Sequence, residues 1–419
     1  MEQHAKIPKK NYFTLLILVL GAAAFYQVPY LRWTFYDGVM ELSGLDNTQF
    51  ALTMSIYGAT GMIMYFPGGV IADKFSSKKL IPISLISTGA CGFILMSGPS
   101  YGIQLFTYIV LAAAGTLTFW AALNKAAIGL DTSGDGSRML GLLEGGRGLF
   151  QAIFSAIFLA VFGLASNAVG GVKTVLAGYA LLNIVFGVLS FFLLEDDKGK
   201  STKHESLHAK DILTILKIPA VWLLSLVIIC SYSFHLGSTY MTPYFTNIIG
   251  ATAVLSGALA VVRNYIAQMA GAPLGGALAT KTKSSSLIVG IAFIIMTVGI
   301  AVIAFLPADS SVMVPLVIFM IIAAISIYIM RGVYFAVISE YGIPLRLTGT
   351  AIGVASVIGF TPDIFMNAIC GNLLDKYEGA EGYHIIFIIM LVIALIGLVA
   401  SWTLHFMIVR KKSAVRAKK

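Results

Sequence analysis

The chain has 419 residues, of which 58% are hydrophobic and only 11% charged, with a net charge of +9. That balance excludes a water-soluble globule, which needs a polar surface this chain cannot supply. The positive charge needs no nucleic acid, because basic flanks beside membrane helices meet anionic lipid head groups.

A helix crosses roughly 30 Å of hydrocarbon with about 20 apolar residues. In chain order the sequence offers span 1 at 11–33, span 2 at 49–71, span 3 at 80–97, span 4 at 103–129, span 5 at 139–163 and span 6 at 173–194. Span 7 follows at 219–246, span 8 at 252–279, span 9 at 286–306, span 10 at 312–339, span 11 at 347–373 and span 12 at 384–408. Runs this continuous fit helices rather than barrel strands, since in lipid a helix satisfies its own backbone groups. The predicted class is therefore an all-α polytopic membrane protein with twelve transmembrane helices. Lys9, Lys10 and Ala22–Ala24 imitate a leader peptide, but eleven further spans follow, so span 1 is expected to stay in place. Cys91, Cys230 and Cys370 all fall in spans and read as packing residues, not as a disulfide framework or metal site.

Twelve spans put both termini on one side. Twenty-one Lys and Arg lie in the segments of that side, and only Lys173 and Lys376 in the opposite set. Positive charge marks the cytoplasmic loops, so both termini are expected in the cytoplasm and the protein in a plasma membrane. The longest hydrophilic stretch, 195–218, reads as a solvated linker between a six-span bundle at 1–194 and another at 219–410, with a basic tail at 411–419.

The two bundles resemble each other. Gly68-Gly69-Val70-Ile71-Ala72-Asp73-Lys74 follows span 2, and Gly275-Gly276-Ala277-Leu278-Ala279-Thr280-Lys281 follows span 8. Arg138-x-x-Gly141 recurs as Arg346-x-x-Gly349 at nearly the same displacement. A displacement kept across four spans implies two pseudo-symmetric repeats. The loop Gly69-Val70-Ile71-Ala72-Asp73-Lys74-Phe75-Ser76-Ser77-Lys78-Lys79 resembles the Gly-x-Leu-x-Asp-Arg-x-Gly-Arg-Arg/Lys pattern of the major facilitator superfamily, with Ser76 where that family has Gly and Ser77 where it has Arg. The resemblance covers the whole chain. Phe360-Thr361-Pro362-Asp363, Glu144-Gly145-Gly146-Arg147-Gly148 and Pro29-Tyr30-Leu31-Arg32 further resemble a little-characterised bacterial branch of sugar and organic-anion carriers. The resemblance implies the major facilitator fold, a solute site lined by spans 1, 4, 7 and 10, a monomeric working unit, and a cytoplasmic gate built on Gly69, Asp73, Lys74 and Lys78. Asp73 would meet the positive end of the span 11 helix dipole, worth about 0.3–1 kcal/mol when exposed. Its plain alternative is a solvated turn.

A Lys, Arg or Asp at the membrane centre costs about 2.5–3.5 kcal/mol to insert, so it faces a wet cavity or a partner. Arg32, Lys125, Arg147, Arg263 and Arg331 fall inside spans, as do Glu144 and Asp363. Arg32, Lys125 and Arg331 lie on spans 1, 4 and 10, and the last two occupy nearly equivalent repeat positions. They are candidates for gripping an anion, guanidinium pairing well with carboxylate, phosphate or sulfonate; snorkelling and structural ion pairing are the alternatives. Asn124, Tyr30, Trp120, Tyr240 and His235 join them as candidate solute contacts, and a lone His beside Tyr232 and Tyr240 also fits ordinary packing. Glu144 and Arg147, three apart, share a helix face and read as an ion pair or an exchanging charge network. Asp363, after Pro362, is the candidate for proton coupling, with Arg263 as a structural partner.

No phosphate loop, zinc-protease or nucleophile-elbow motif appears, so neither enzyme chemistry nor a cofactor is expected. The leading expectation is a secondary carrier of a small organic anion (a sugar acid, sugar phosphate, sulfonate or carboxylate) working by alternating access with a proton or other ion. Proton-driven efflux of an amphipathic compound is the runner-up. A non-transporting sensor with a carrier fold is the reading from another class.

Overall fold

Pro29 sets the shape of the first span. The computed structural model of the protein describes residues 8–130, 137–196 and 209–416. Span 1 runs as a helix only over Lys9–Phe25. Pro29 carries no N–H and restricts Val28 before it, and the chain passes through a turn into a short 3-10 helix, Leu31–Trp33. A further short helix, Tyr36–Ser43, ends at Gly44 in the left-handed region at φ 64°. Span 2 then starts cleanly over Asn47–Lys74, because the Asp46 side chain accepts the Gln49 N–H at 2.7 Å.

The remaining spans are all helical, and no strand occurs among the described residues. Spans 2, 3, 5, 6, 9 and 12 are each one helix: Asn47–Lys74, Ser77–Met96, Ser137–Gly163, Ala168–Leu193, Ser285–Phe305 and Ala380–Arg416. The others are interrupted. Span 4 widens into a π-helical turn at Ala114–Phe119 and span 8 into another at Val262–Ile266. Span 7 breaks between Pro219–Ser238 and Met241–Asn247, span 10 between Met313–Val333 and Ala336–Tyr341, and span 11 between Leu345–Gly359 and Pro362–Lys376.

Ten helical stretches of the described chain are long and apolar enough to cross a membrane. Span 1 falls outside that group because its helix stops after 17 residues. Span 2 is long enough, but Thr53, Ser55, Thr60 and its glycines dilute its apolar run. The large apolar side chains left bare, such as Ile63, Phe106, Phe192, Val314 and Val399, suit a lipid solvent.

The chain divides into two compact units, Met1–His204 with Thr252–Val261, and Glu205–Ala251 with Val262–Lys419. The first nine residues of span 8 thus pack within the first unit, where a Cβ at Gly257 would stand 2.6 Å from Leu159. Both units have a very close helix approach at matching repeat positions. A Cβ at Gly68 would lie 2.2 Å from the Thr116 carbonyl oxygen of span 4, and one at Gly275 would lie 2.5 Å from the Ile329 carbonyl oxygen of span 10. Only glycine permits backbones to meet so closely.

Two boundaries differ from expectation. Span 6 begins at Ala168, where Asn167 caps the Gly170 N–H at 2.7 Å, so Lys173 lies inside the helix and not in a loop. The described end of the expected linker is a helix, Ala209–Leu216; Ile215 is buried, and Trp222 Nε1 donates to the Leu216 carbonyl at 2.8 Å. Linker residues 197–208, tail residues 417–419 and the loop at 131–136 lie outside the described residues, as do Lys6, Lys198, Lys200, Lys203, Lys418 and Lys419; of the Arg138 side chain nothing is described.

Candidate functional site

In the first unit, an aromatic ladder runs along span 1. The Trp33 and Tyr30 rings stack 4.1 Å apart, Tyr30 and Tyr26 stack at 6.4 Å, and Tyr57 of span 2 meets the Tyr30 edge at 5.5 Å. Tyr26, Tyr30 and Trp33 are spaced four and three apart, which keeps their rings on one side of the span. At its inner end the Arg147 guanidinium lies 5.3 Å from the Tyr26 ring and 5.6 Å from Trp120. Arg147 also forms an ion pair with Glu144, one turn away on span 5. Glu144 and Arg147 are both partly exposed, and Trp120 belongs to the same group.

The other polar candidates of this unit are engaged elsewhere. Arg32 is buried; its Nη1 donates to the Phe50 carbonyl, and its guanidinium lies 3.6 Å over the Phe50 ring and 5.5 Å from Tyr36. Its Nη2 has no hydrogen-bond partner. Lys125 donates from Nζ to the Ala72 carbonyl at 3.0 Å, on the last turn of span 2. Asn124 turns back on its own helix and donates to the Trp120 carbonyl at 2.9 Å.

The loop between spans 2 and 3 is short. Asp73 and Lys74 are exposed on the last turn of span 2, and Phe75 and Ser76 are extended at φ −113° and −71°. Ser76 therefore adopts a backbone any residue can take, so serine in the family's glycine position introduces no strain. Lys78 lies 5.7 Å from the Phe191 ring. At Gly69 an added Cβ would meet nothing within 4 Å; of the Gly68-Gly69 pair, Gly68 is the one that must be glycine.

In the second unit, spans 7, 10 and 11 bring a polar cluster together. The Tyr232 hydroxyl is 2.9 and 3.0 Å from the two carboxylate oxygens of Asp363. The Tyr232 and His235 rings stack at 6.0 Å, His235 meets the Tyr328 ring edge at 6.0 Å, and Arg331 lies 5.6 Å from the Tyr328 ring. His235 and Tyr328 are buried, Asp363 and Tyr232 half-buried, and Arg331 exposed. Arg331 joins the cluster through the Tyr328 ring. Asp363 occupies the first turn of Pro362–Lys376. The positive end of the helix dipole there favours a carboxylate.

Arg263 takes partners other than the expected Asp363. It is buried, with Nη1 donating to the Ser238 carbonyl at 2.7 Å and Nη2 to the Thr242 hydroxyl at 3.3 Å. Tyr240 is buried too and donates to the Asn367 carbonyl at 3.1 Å. Sequence reasoning missed Tyr232 as the partner of Asp363. The two are 131 residues apart, and neither carries a local signal of the other. No group of His, Cys, Asp and Glu that could hold a metal occurs among the described residues.

On the terminal side of the second unit, the Glu340 carboxylate accepts from the Ser284 hydroxyl at 2.7 Å, the Ser286 N–H at 2.8 Å and Lys412 Nζ at 3.1 Å. Burial by itself raises the Glu340 carboxyl, but these three donors outweigh it and hold the group below its ordinary range. Lys411 donates to the Tyr341 carbonyl at 2.8 Å beside it.

The profile of the Major Facilitator Superfamily matches residues 13–361. Inner membrane protein YihN of Escherichia coli (strain K12) is 30% identical over 418 residues, covering 98% of this chain and 99% of that protein. Inner membrane protein YqcE of the same organism is 28% identical over 382 residues, 90% of each chain. Among solved structures, a bacterial homologue of the human lysosomal transporter Spinster, inward-facing and occupied, superposes with a TM-score of 0.73 at 16% identity, covering 96% of this chain and 98% of that one. The nucleoside transporter NupG gives 0.71 at 14% identity, over 96% and 99% of the two chains. At such identities these structures speak for the fold alone.

Proposed function

The chain belongs to the Major Facilitator Superfamily of secondary transporters, and we propose that it carries a small organic anion across the membrane by alternating access, coupled to a proton through Asp363. One observation carries the reading: the cluster of Tyr232, His235, Tyr328, Arg331 and Asp363, contributed by spans 7, 10 and 11. Arg331 supplies the forked donor that a carboxylate, phosphate or sulfonate needs. Tyr232 and Tyr328 supply rings with polar tips, suited to a sugar-like body.

The chemistry of coupling follows from the charges. Ionised Asp363 is an internal anion that competes with the solute for the field of Arg331. A proton taken up on one carboxylate oxygen removes that competitor. The Tyr232 hydroxyl stays within reach of either oxygen in both states. A proton and an anion therefore favour each other's binding. In the first unit, Arg147 stands among Tyr26, Trp120 and Glu144, while Arg32 and Lys125 hold backbone carbonyls. Gly69, Asp73, Lys74 and Lys78 serve the gate. The two relatives named as inner membrane proteins support a bacterial inner membrane, and the charge bias supports cytoplasmic termini.

Thermal unfolding of the purified protein against gluconate, glucose 6-phosphate, ethanesulfonate and a lipophilic cation tests this reading. One of the anions is expected to stabilise the fold, by about 2.7 kcal/mol at a hundredfold excess over its dissociation constant. Arg331→Gln should remove that stabilisation. Stabilisation by the lipophilic cation alone would contradict the anion reading.

A further inference from the structure

We propose that Arg263 is a staple across the break in span 7, a positioning residue that fixes the angle between the two pieces of that helix. Pro219–Ser238 ends at Ser238, and Met241–Asn247 begins after two intervening residues. At the junction the helical ladder changes register: Thr239 N–H bonds to Leu236, Tyr240 N–H to Gly237, and Thr242 N–H to the Thr239 carbonyl at 3.2 Å. The N–H that would serve the Ser238 carbonyl in an unbroken helix has thus been diverted. Ser238 is buried, and a buried carbonyl left without a donor is costly. Arg263 Nη1 serves it at 2.7 Å.

The same guanidinium reaches the second piece, since Nη2 lies 3.3 Å from the Thr242 hydroxyl. One planar group therefore contacts the last residue of the first piece and the first turn of the second. A fork of this kind fits two acceptors at once, which a lysine ammonium cannot do in the same geometry. Arg263 sits in the π-helical turn Val262–Ile266 of span 8. A π-turn displaces side chains from the positions of a regular helix, so the device belongs to two helices.

The consequence concerns the cluster described above. Tyr232 and His235 ride on the first piece. Tyr240 stands at the junction, and its hydroxyl is tied to the Asn367 carbonyl of span 11. The staple keeps the piece that carries Tyr232 in register with span 11, which carries Asp363.

Hydrogen exchange of the full-length protein in lipid nanodiscs reads the local opening. Thr242→Val removes one acceptor with little change of shape, Thr242→Ser retains it, and Arg263→Lys keeps the charge without the fork. Thr242→Val and Arg263→Lys are expected to speed exchange over 239–247 about tenfold, while Ser285–Phe305 stays unchanged and Thr242→Ser matches the wild type. Wild-type exchange over 239–247 in Thr242→Val would overturn the staple. So would equal acceleration by Thr242→Ser, or a rise spread evenly over all spans. Should Arg263→Lys fail to fold, the two Thr242 variants decide the matter alone.

Discussion

Lys125 and Arg331 occupy nearly equivalent positions in the two repeats, and the two units use them differently. Lys125 reaches the Ala72 carbonyl, one of the last four of span 2, which no intrahelical N–H can serve. Arg331 stays beside Tyr328 and is exposed. A cation near a helix end is thus a cap in one repeat and a candidate solute contact in the other. Lys125→Met should destabilise the protein by about 1 kcal/mol in thermal unfolding, and Lys125→Arg should restore most of it, since either cation can donate to a carbonyl. The Glu144–Arg147 pairing was legible, because residues three apart on a helix share a face. Lys125 with Ala72, and Tyr232 with Asp363, were not; those contacts join different helices, and a single sequence holds no record of which helix faces which. Arg32 was legible as an expensive charge but not in its use, because its seat over Phe50 depends on the turn that follows Phe25.

The elements divide by regularity. Spans 3, 6, 9 and 12 are continuous helices, while spans 1, 4, 7 and 10, which the family resemblance gives to the solute path, are all broken or π-widened. Irregular backbone at membrane depth is tolerated where other groups or water serve the freed carbonyls and N–H groups. The breaks at Pro29 and before Pro362 were visible as prolines. The break after Ser238 lies just before Pro243, which has no N–H for the Thr239 carbonyl, whereas the two π-turns contain no proline. Close packing makes the paired glycines testable. Gly68→Ala and Gly275→Ala should each cost about 1–3 kcal/mol, as an added Cβ meets a fixed carbonyl. Gly69→Ala and Gly276→Ala, with nothing within 4 Å, should leave thermal stability unchanged or slightly raised.

The helix of span 12 runs for 37 residues in all, about 55 Å, well beyond a bilayer core. Its last turns are bound down by Glu340 with Lys412 and by Tyr341 with Lys411. Since the folded protein holds the Glu340 carboxyl below its unfolded value of about 4.3, the contact stabilises fully above that value. Its contribution is lost as pH falls through the folded value. The unfolding temperature of the wild type should therefore drop more steeply below about pH 4 than that of Glu340→Gln, which should already be lower at pH 7. Parallel pH profiles for the two proteins would show that Glu340 contributes no such linkage.

At the scale of the whole molecule, twelve spans and two repeats were legible because hydrophobic length and a conserved displacement need no knowledge of contacts. The solute was not, because its site is assembled from residues far apart in the chain. Arg331, Tyr328, His235, Tyr232 and Asp363 come from three spans, and nothing in their order along the sequence reveals that they meet. The account rests on a proton and an anion sharing the field of Arg331. The direct measurement is proton movement in proteoliposomes, followed with an internal pH dye after addition of gluconate or glucose 6-phosphate. Wild-type protein is expected to acidify the lumen when the transported anion is added. Asp363→Asn should exchange that anion across the membrane without moving protons. Anion-driven acidification that persists undiminished in Asp363→Asn would contradict the account, as would an absence of proton movement in the wild type while it transports the anion.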